Sequence, residues 1–184
     1  KGSSSILVSF NSTIHLLDSL IEDLAITNDH VFSTFYGSVY TKNTAISKLS
    51  MHCDISFYCA IFTIRTADYF IFESNSITDS TCTGIVEYFR LTRILKNLVI
   101  NNFQVLRNSI NTRLAAIVVI NTGPLTLTSV QFVGNKFFGR VNSGAVLYSF
   151  NTMETRIDDL LFEKNTVTSM GDIVYISRVN GQLS

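Results

Sequence analysis

The 184-residue chain has no tryptophan, one proline, three cysteines and few charges, with 15% Asp, Glu, Lys and Arg and a formal net charge of zero. Each scarcity narrows the field. A neutral chain without a basic stripe is poorly matched to nucleic acid, whose phosphates call for clustered Lys and Arg. No apolar run approaches the ~20 residues of a membrane-spanning helix; the longest is Leu114 to Ile120. One proline, Pro124, suits a chain in which most backbone N–H groups donate to a ladder. Cys53, Cys59 and Cys82 are too few for a disulfide scaffold, and an odd count leaves one thiol over. Cys53–Cys59 and Cys59–Cys82 are both feasible pairs, and three buried thiols acting as small apolar groups are the alternative. If the chain is extracellular, one pair is expected to be oxidised.

What the chain has in abundance is hydrophobic residues, at 46%, including 14 Phe. They follow a repeated frame: an apolar residue, two others, an apolar residue, one other, an apolar residue, two others, then Asn or Asp. The copies are Ile21/Leu24/Ile26/Asp29, Ile46/Leu49/Met51/Asp54, Ala67/Phe70/Phe72/Asn75, Ile100/Phe103/Val105/Asn108, Leu127/Val130/Phe132/Asn135 and Ile157/Leu160/Phe162/Asn165. Six copies imply a solenoid, whose units bury their apolar faces by stacking. The second and third apolar positions of each frame, one residue apart, alternate as a strand does. The pairs before them, such as Glu22-Asp23, Ser47-Lys48, Asp68-Tyr69, Asn101-Asn102, Thr128-Ser129 and Asp158-Asp159, are turn formers. The central residues 26, 51, 72, 105, 132 and 162 are expected to lie in one row. Asp29, Asp54, Asn75, Asn108, Asn135 and Asn165 are expected to form a side-chain ladder, since stacked Asn reinforces such arrays.

A second strand follows each Asn or Asp, with Val39, Ile61, Val86, Ile117, Val146 and Val174 as a β-branched column. This column is expected to point inward, and the neighbouring column (Ser38, Ala60, Ile85, Ala116, Ala145, Ile173) is its rival. The result is an all-β parallel β-helix of about six coils in one domain, with coils near 12–42, 43–64, 65–90, 91–120, 121–150 and 151–178. The competing fold is a leucine-rich-repeat solenoid, which shares the frame but needs helical turns where this chain has β-branched strands. The stretch around Arg90, Arg93 and Lys96 and the segment 110–114 read as loops of the longest coil.

Phe72-Glu-Ser-Asn75, Phe132-Val-Gly-Asn135 and Phe162-Glu-Lys-Asn165, together with Gly144-Ala-Val146, resemble the repeat of polymorphic outer-membrane proteins and related pectin-lyase-like β-helix surface proteins. The resemblance implies a right-handed β-helix, displayed on a cell surface or extracellularly as a stalk or adhesin. It carries over no catalytic residues.

Chemistry-bearing clusters are sparse. His52-Cys53-Asp54 near Cys59 lacks the second ligand pair that structural zinc sites use, and His15 and His30 are isolated. Glu73 and Glu163 occupy equivalent frame positions three coils apart, too far for paired-carboxylate catalysis. No catalytic, cofactor-binding or metal site is expected. The only Asn-x-Ser/Thr sequon is at Asn11, a candidate glycosylation site. The chain begins Lys1-Gly2-Ser3 without a signal-peptide pattern, and an excerpt of a longer protein is expected. The function expected is structural or adhesive. Its partners would be further coils, neighbouring subunits or a glycan, not nucleic acid. The alternative is a carbohydrate-active β-helix enzyme with its site elsewhere.

Overall fold

The structure, a computed structural model, describes residues 7–54, 59–84, 86–112, 115–139, 146–168 and 172–177. Among these residues all regular structure is β-strand. The pairings run parallel from coil to coil, as in Leu7–Phe10 on Phe32–Phe35 and Leu125–Val133 on Thr155–Glu163. The chain is a right-handed parallel β-helix of about six turns, and the leucine-rich alternative is set aside.

Each coil has four sides, here a to d. Side a carries the inward row Leu7, Phe32, Phe62, Phe89, Ile117, Leu147 and Val174. Side b carries Ile14, Val39, Phe70, Leu98, Leu125 and Thr155. Side c carries Ile21, Ile46, Ile77, Val105, Phe132 and Phe162. Side d carries Ile26, Met51, Cys82, Ile110, Phe137 and Val167. Counted along side a, the coils advance by 25, 30, 27, 28, 30 and 27 residues.

The expected single row is therefore split. Ile26 and Met51 lie on side d, Phe72 on side b, and Val105, Phe132 and Phe162 on side c. The frame spans the c–d corner in its first two copies and the b–c corner in the last three, whereas the third begins just past the a–b corner at Thr66. Every side presents the same alternation followed by a corner, so one frame fits three places in a coil.

The corners have a common backbone device. Among the described residues, eighteen non-glycine residues have φ between 47° and 59°, and all but Asn28 fall into three stacked columns. Asn11, Tyr36, Thr66, Arg93, Asn121 and Asn151 turn the a–b corner. Asp18, Asn43, Ser74, Asn102, Ser129 and Asp159 turn b–c, and Asp23, Lys48, Asp79, Arg107 and Lys164 turn c–d, with Gly134 at φ 67° on the remaining c–d rung. One left-handed residue rotates the strand direction sharply, and its N–H still bonds to the next coil, as in Tyr36 N to Arg65 O at 3.0 Å. Asn and Asp hold this conformation most readily, whereas a β-branched residue is strained there. Thr66, at φ 59°, is such a residue. Thr66→Asn is expected to raise stability by about 0.5–1 kcal/mol, measured by urea unfolding.

Of the expected turn pairs, five place their second residue at a positive φ; in Asp68-Tyr69 neither residue does, and the turn falls at Thr66 instead. Arg90, Arg93 and Lys96 lie within the continuous strand Val86–Leu106, not in a loop. The extra length is a one-residue bulge between Ile94 and Asn97, which leaves Leu95 58% exposed. Residues 109–112 are a side-d strand; 113–114 lie outside the described residues.

The β-branched column is buried at Val39, Ile61, Val86, Ile117 and Val146, with Val174 half-buried. It is not one row, since Val39 stacks on Phe70 of side b while Ile117 belongs to side a. Of the rival column, Ala60 and Ala116 are buried as well, while Ile85 and Ala145 lie outside the described residues. Both parities are buried because the outer face of side a is covered too, at Ser33, Thr63 and Val118.

The interior is aromatic at its centre. Phe62 stacks on Phe32 at 4.8 Å and Phe89 at 5.5 Å, and meets Phe72 edge-on at 5.5 Å.

Candidate binding surface

At most of the left-handed corners the residue that follows turns its side chain inward. At the c–d corner this places Asn108, Asn135 and Asn165 over one another. Asn135 Oδ1 accepts from the N–H of Asn108 at 2.9 Å and from its Nδ2 at 3.1 Å. Asn165 Oδ1 accepts from the corresponding donors of Asn135 at 2.8 and 2.9 Å. The Nδ2 groups also donate to main-chain carbonyls: Asn108 to Ile77, Asn135 to Val105 and Asn165 to Phe132. Ser80 holds the preceding rung, its N–H donating to Asn108 Oδ1 at 2.8 Å.

The six-rung ladder read from the frame is thus corrected to three rungs. Asn75 sits at the b–c corner, accepting from Thr44 N at 2.7 Å and donating to Thr41. Asp54 sits at the d–a corner with Asn28, whose Nδ2 donates to it at 2.6 Å. That amide, and His52 after it, hold the Asp54 carboxyl below its ordinary range. Asp29 Oδ1 accepts from His30 N at 2.7 Å.

Cys53 and Cys59 are joined by a disulfide with Cα atoms 6.0 Å apart, and Cys82 is a buried free thiol. Burial pushes Cys82 up to about 12, so it behaves as a small apolar group. The joined sulfurs leave no thiolate for a metal at His52-Cys53-Asp54. Among the described residues no three His, Cys, Asp or Glu side chains come together as metal ligands. Glu73 lies on side b beside Lys42 and Asn101, and Glu163 on side c beside Val133; their expected equivalence is corrected by the register.

His30 reaches over side a. Its Nδ1 accepts from Ala60 N at 3.0 Å and lies 2.9 Å from Thr63 Oγ1, a geometry that requires an unprotonated Nδ1. Burial lowers the His30 pKa, Asp29 opposes this, and Arg65 and Arg90 add to it. The folded state therefore binds the proton less readily than the unfolded chain. This group's contribution is intact above about 6.5, the ordinary value, and declines as pH falls below it toward the depressed folded value. Urea midpoints measured from pH 7.5 to 5 are expected to fall, and less steeply for His30→Gln.

Among the described residues, side b carries open relief. Its outward residues form two rows across coils, Thr13–Ser38–Tyr69 and His15–Tyr40–Ile71, flanking the buried row Ile14–Val39–Phe70. Ser38 Oγ accepts from Tyr69 N at 3.2 Å, and the His15 and Tyr40 rings are 5.9 Å apart. A cleft of about 290 Å³ at the a–b corner and an adjoining one of about 440 Å³ share Thr13, Ser38 and Asp68. Gly37 lines the first, and a Cβ there would strike the Ser12 carbonyl oxygen. Asp68 Oδ2 is 3.0 Å from Lys96 Nζ, which also lies 5.2 Å from the Tyr69 ring centroid. That carboxylate hydrogen bond raises the Lys96 pKa. Asn11 is exposed at the rim, on its left-handed corner.

The frame gave no sign of this surface, because its residues stand 25 to 31 positions apart and only the register unites them. No known protein family matches the chain, and no curated protein or solved structure does either.

Proposed function

We propose that the chain is a non-catalytic structural and adhesive segment of a larger cell-surface or extracellular protein. It acts as a rigid spacer that holds a display surface away from its base, with further coils or neighbouring subunits as partners. The observation that carries this is the unbroken stacking on all four sides, with in-register rows of core side chains and a bonded Asn column between coils. Pulling on such a rod loads many parallel hydrogen bonds together. The Cys53–Cys59 bridge fits an oxidising compartment, and a sugar on the exposed Asn11 sequon fits the same location. The closer kinship, with polymorphic outer-membrane and pectin-lyase-like β-helices, rests on the F-x-x-N and G-A-V stretches.

Single-molecule pulling tests the mechanical role. Extension is expected in steps of one coil, about 95 Å for each 27–30 residues released. Incubation with neutral and acidic polysaccharides is expected to yield no new chain ends. Turnover of any of them would overturn the reading.

A further inference from the structure

Resting on the adhesive reading, we infer that the side-b cleft is the display site itself and that it takes a short segment of a neutral oligosaccharide. The chemistry of its walls selects the ligand. Tyr40 and Tyr69 face outward on adjacent coils, two positions apart along the strand. From strand rise and spacing, their attachment points are roughly 8 Å apart on the diagonal, a spacing that spans neighbouring sugar rings. Sugars present C–H faces that rest on aromatic rings, and hydroxyls that need donors and acceptors beside them.

Both kinds of partner are present. Ser38 lies beside both tyrosines, on the Tyr40 coil and in the Tyr69 row, and Thr13 lines the cleft one coil further along that row. At one edge the Asp68 carboxylate and Lys96 ammonium sit 3.0 Å apart, so together they accept from and donate to vicinal hydroxyls while neutralising each other. The charged side chain lining the clefts is thus already paired, which disfavours phosphate or sulfate groups and favours an uncharged ligand. The hollow is set by the backbone: at Gly37 any side chain would run into the Ser12 carbonyl.

The test is titration of the isotopically labelled chain with cellohexaose, chitohexaose and maltohexaose, followed by NMR and calorimetry. At least one hexasaccharide is expected to shift resonances of Ser38, Tyr40 and Tyr69. Tyr69→Ala is expected to weaken binding roughly three- to tenfold, and Tyr40→Ala/Tyr69→Ala to abolish it. Both side chains point outward and make surface contacts, with Lys96 and with His15, so melting temperatures are expected to fall by only a few degrees, and binding measured well below them separates lost binding from lost folding. No hexasaccharide bound, with one-coil pulling steps intact and no turnover, would overturn the glycan assignment alone. Spermidine bound at Asp68 without any hexasaccharide would overturn it in favour of an ammonium ligand. Cleavage of a hexasaccharide would overturn the parent reading.

Discussion

Asn135→Ala is expected to cost about 3–5 kcal/mol, among the largest losses available from one polar residue in this chain. The side chain is fully buried and serves both neighbouring coils. Truncation leaves the Asn108 N–H without its acceptor, removes one partner of Asn108 Nδ2, and strips the Val105 carbonyl of its donor. Each orphaned buried group costs about 1–3 kcal/mol. Asn135→Asp separates the two halves of this role. A carboxylate can still accept from Asn108 N–H, but it cannot donate to Val105, and it would bury a charge against Asn165 Oδ1. The aspartate variant is therefore expected to be poorly stable at neutral pH and to recover partly in acid. Urea unfolding of both variants measures the effect. A loss below about 1 kcal/mol for the alanine variant would mean that the column is not a cohesive element.

Phe62→Ala is the second large effect. Phe62 stands at the centre of the aromatic interior, touching Phe32, Phe70, Phe72 and Phe89. Its ring belongs to three coils at once, so the cavity cannot close by shifting one strand. The expected loss is about 3–5 kcal/mol, a drop in melting temperature of roughly 10 °C for a chain of this size. Phe10 is the control: it also stacks on a phenylalanine, Phe35 at 5.1 Å, but is 63% exposed. Phe10→Ala is expected to cost less than about 1 kcal/mol. Equal losses at the two positions would show that burial within the coils is not what holds them together.

The all-β solenoid was legible in the chain because alternation and β-branching are local properties. Ile100, Phe103 and Val105 announce strands wherever they stand. Registration was not legible, because Phe72 and Phe132 look alike in sequence yet face the interior from sides b and c. What fixes a corner is a backbone state. Asn and Asp advertise it at Asn43 and Asp159, but Tyr36, Thr66 and Arg93 adopt it without any compositional sign. The candidate surface on side b inherited the same opacity. Thr13, Ser38 and Tyr69 are unremarkable apart and form a row only once the coils are correctly superposed.

Each turn touches only the turn before and the turn after it. Length thereby becomes a quantity with graduations: duplicating or excising one whole turn of about 28 residues changes the reach by about 4.8 Å and leaves the remaining graduations as they were. A lineage can thus lengthen or shorten the rod by whole turns without redesigning the turns that remain.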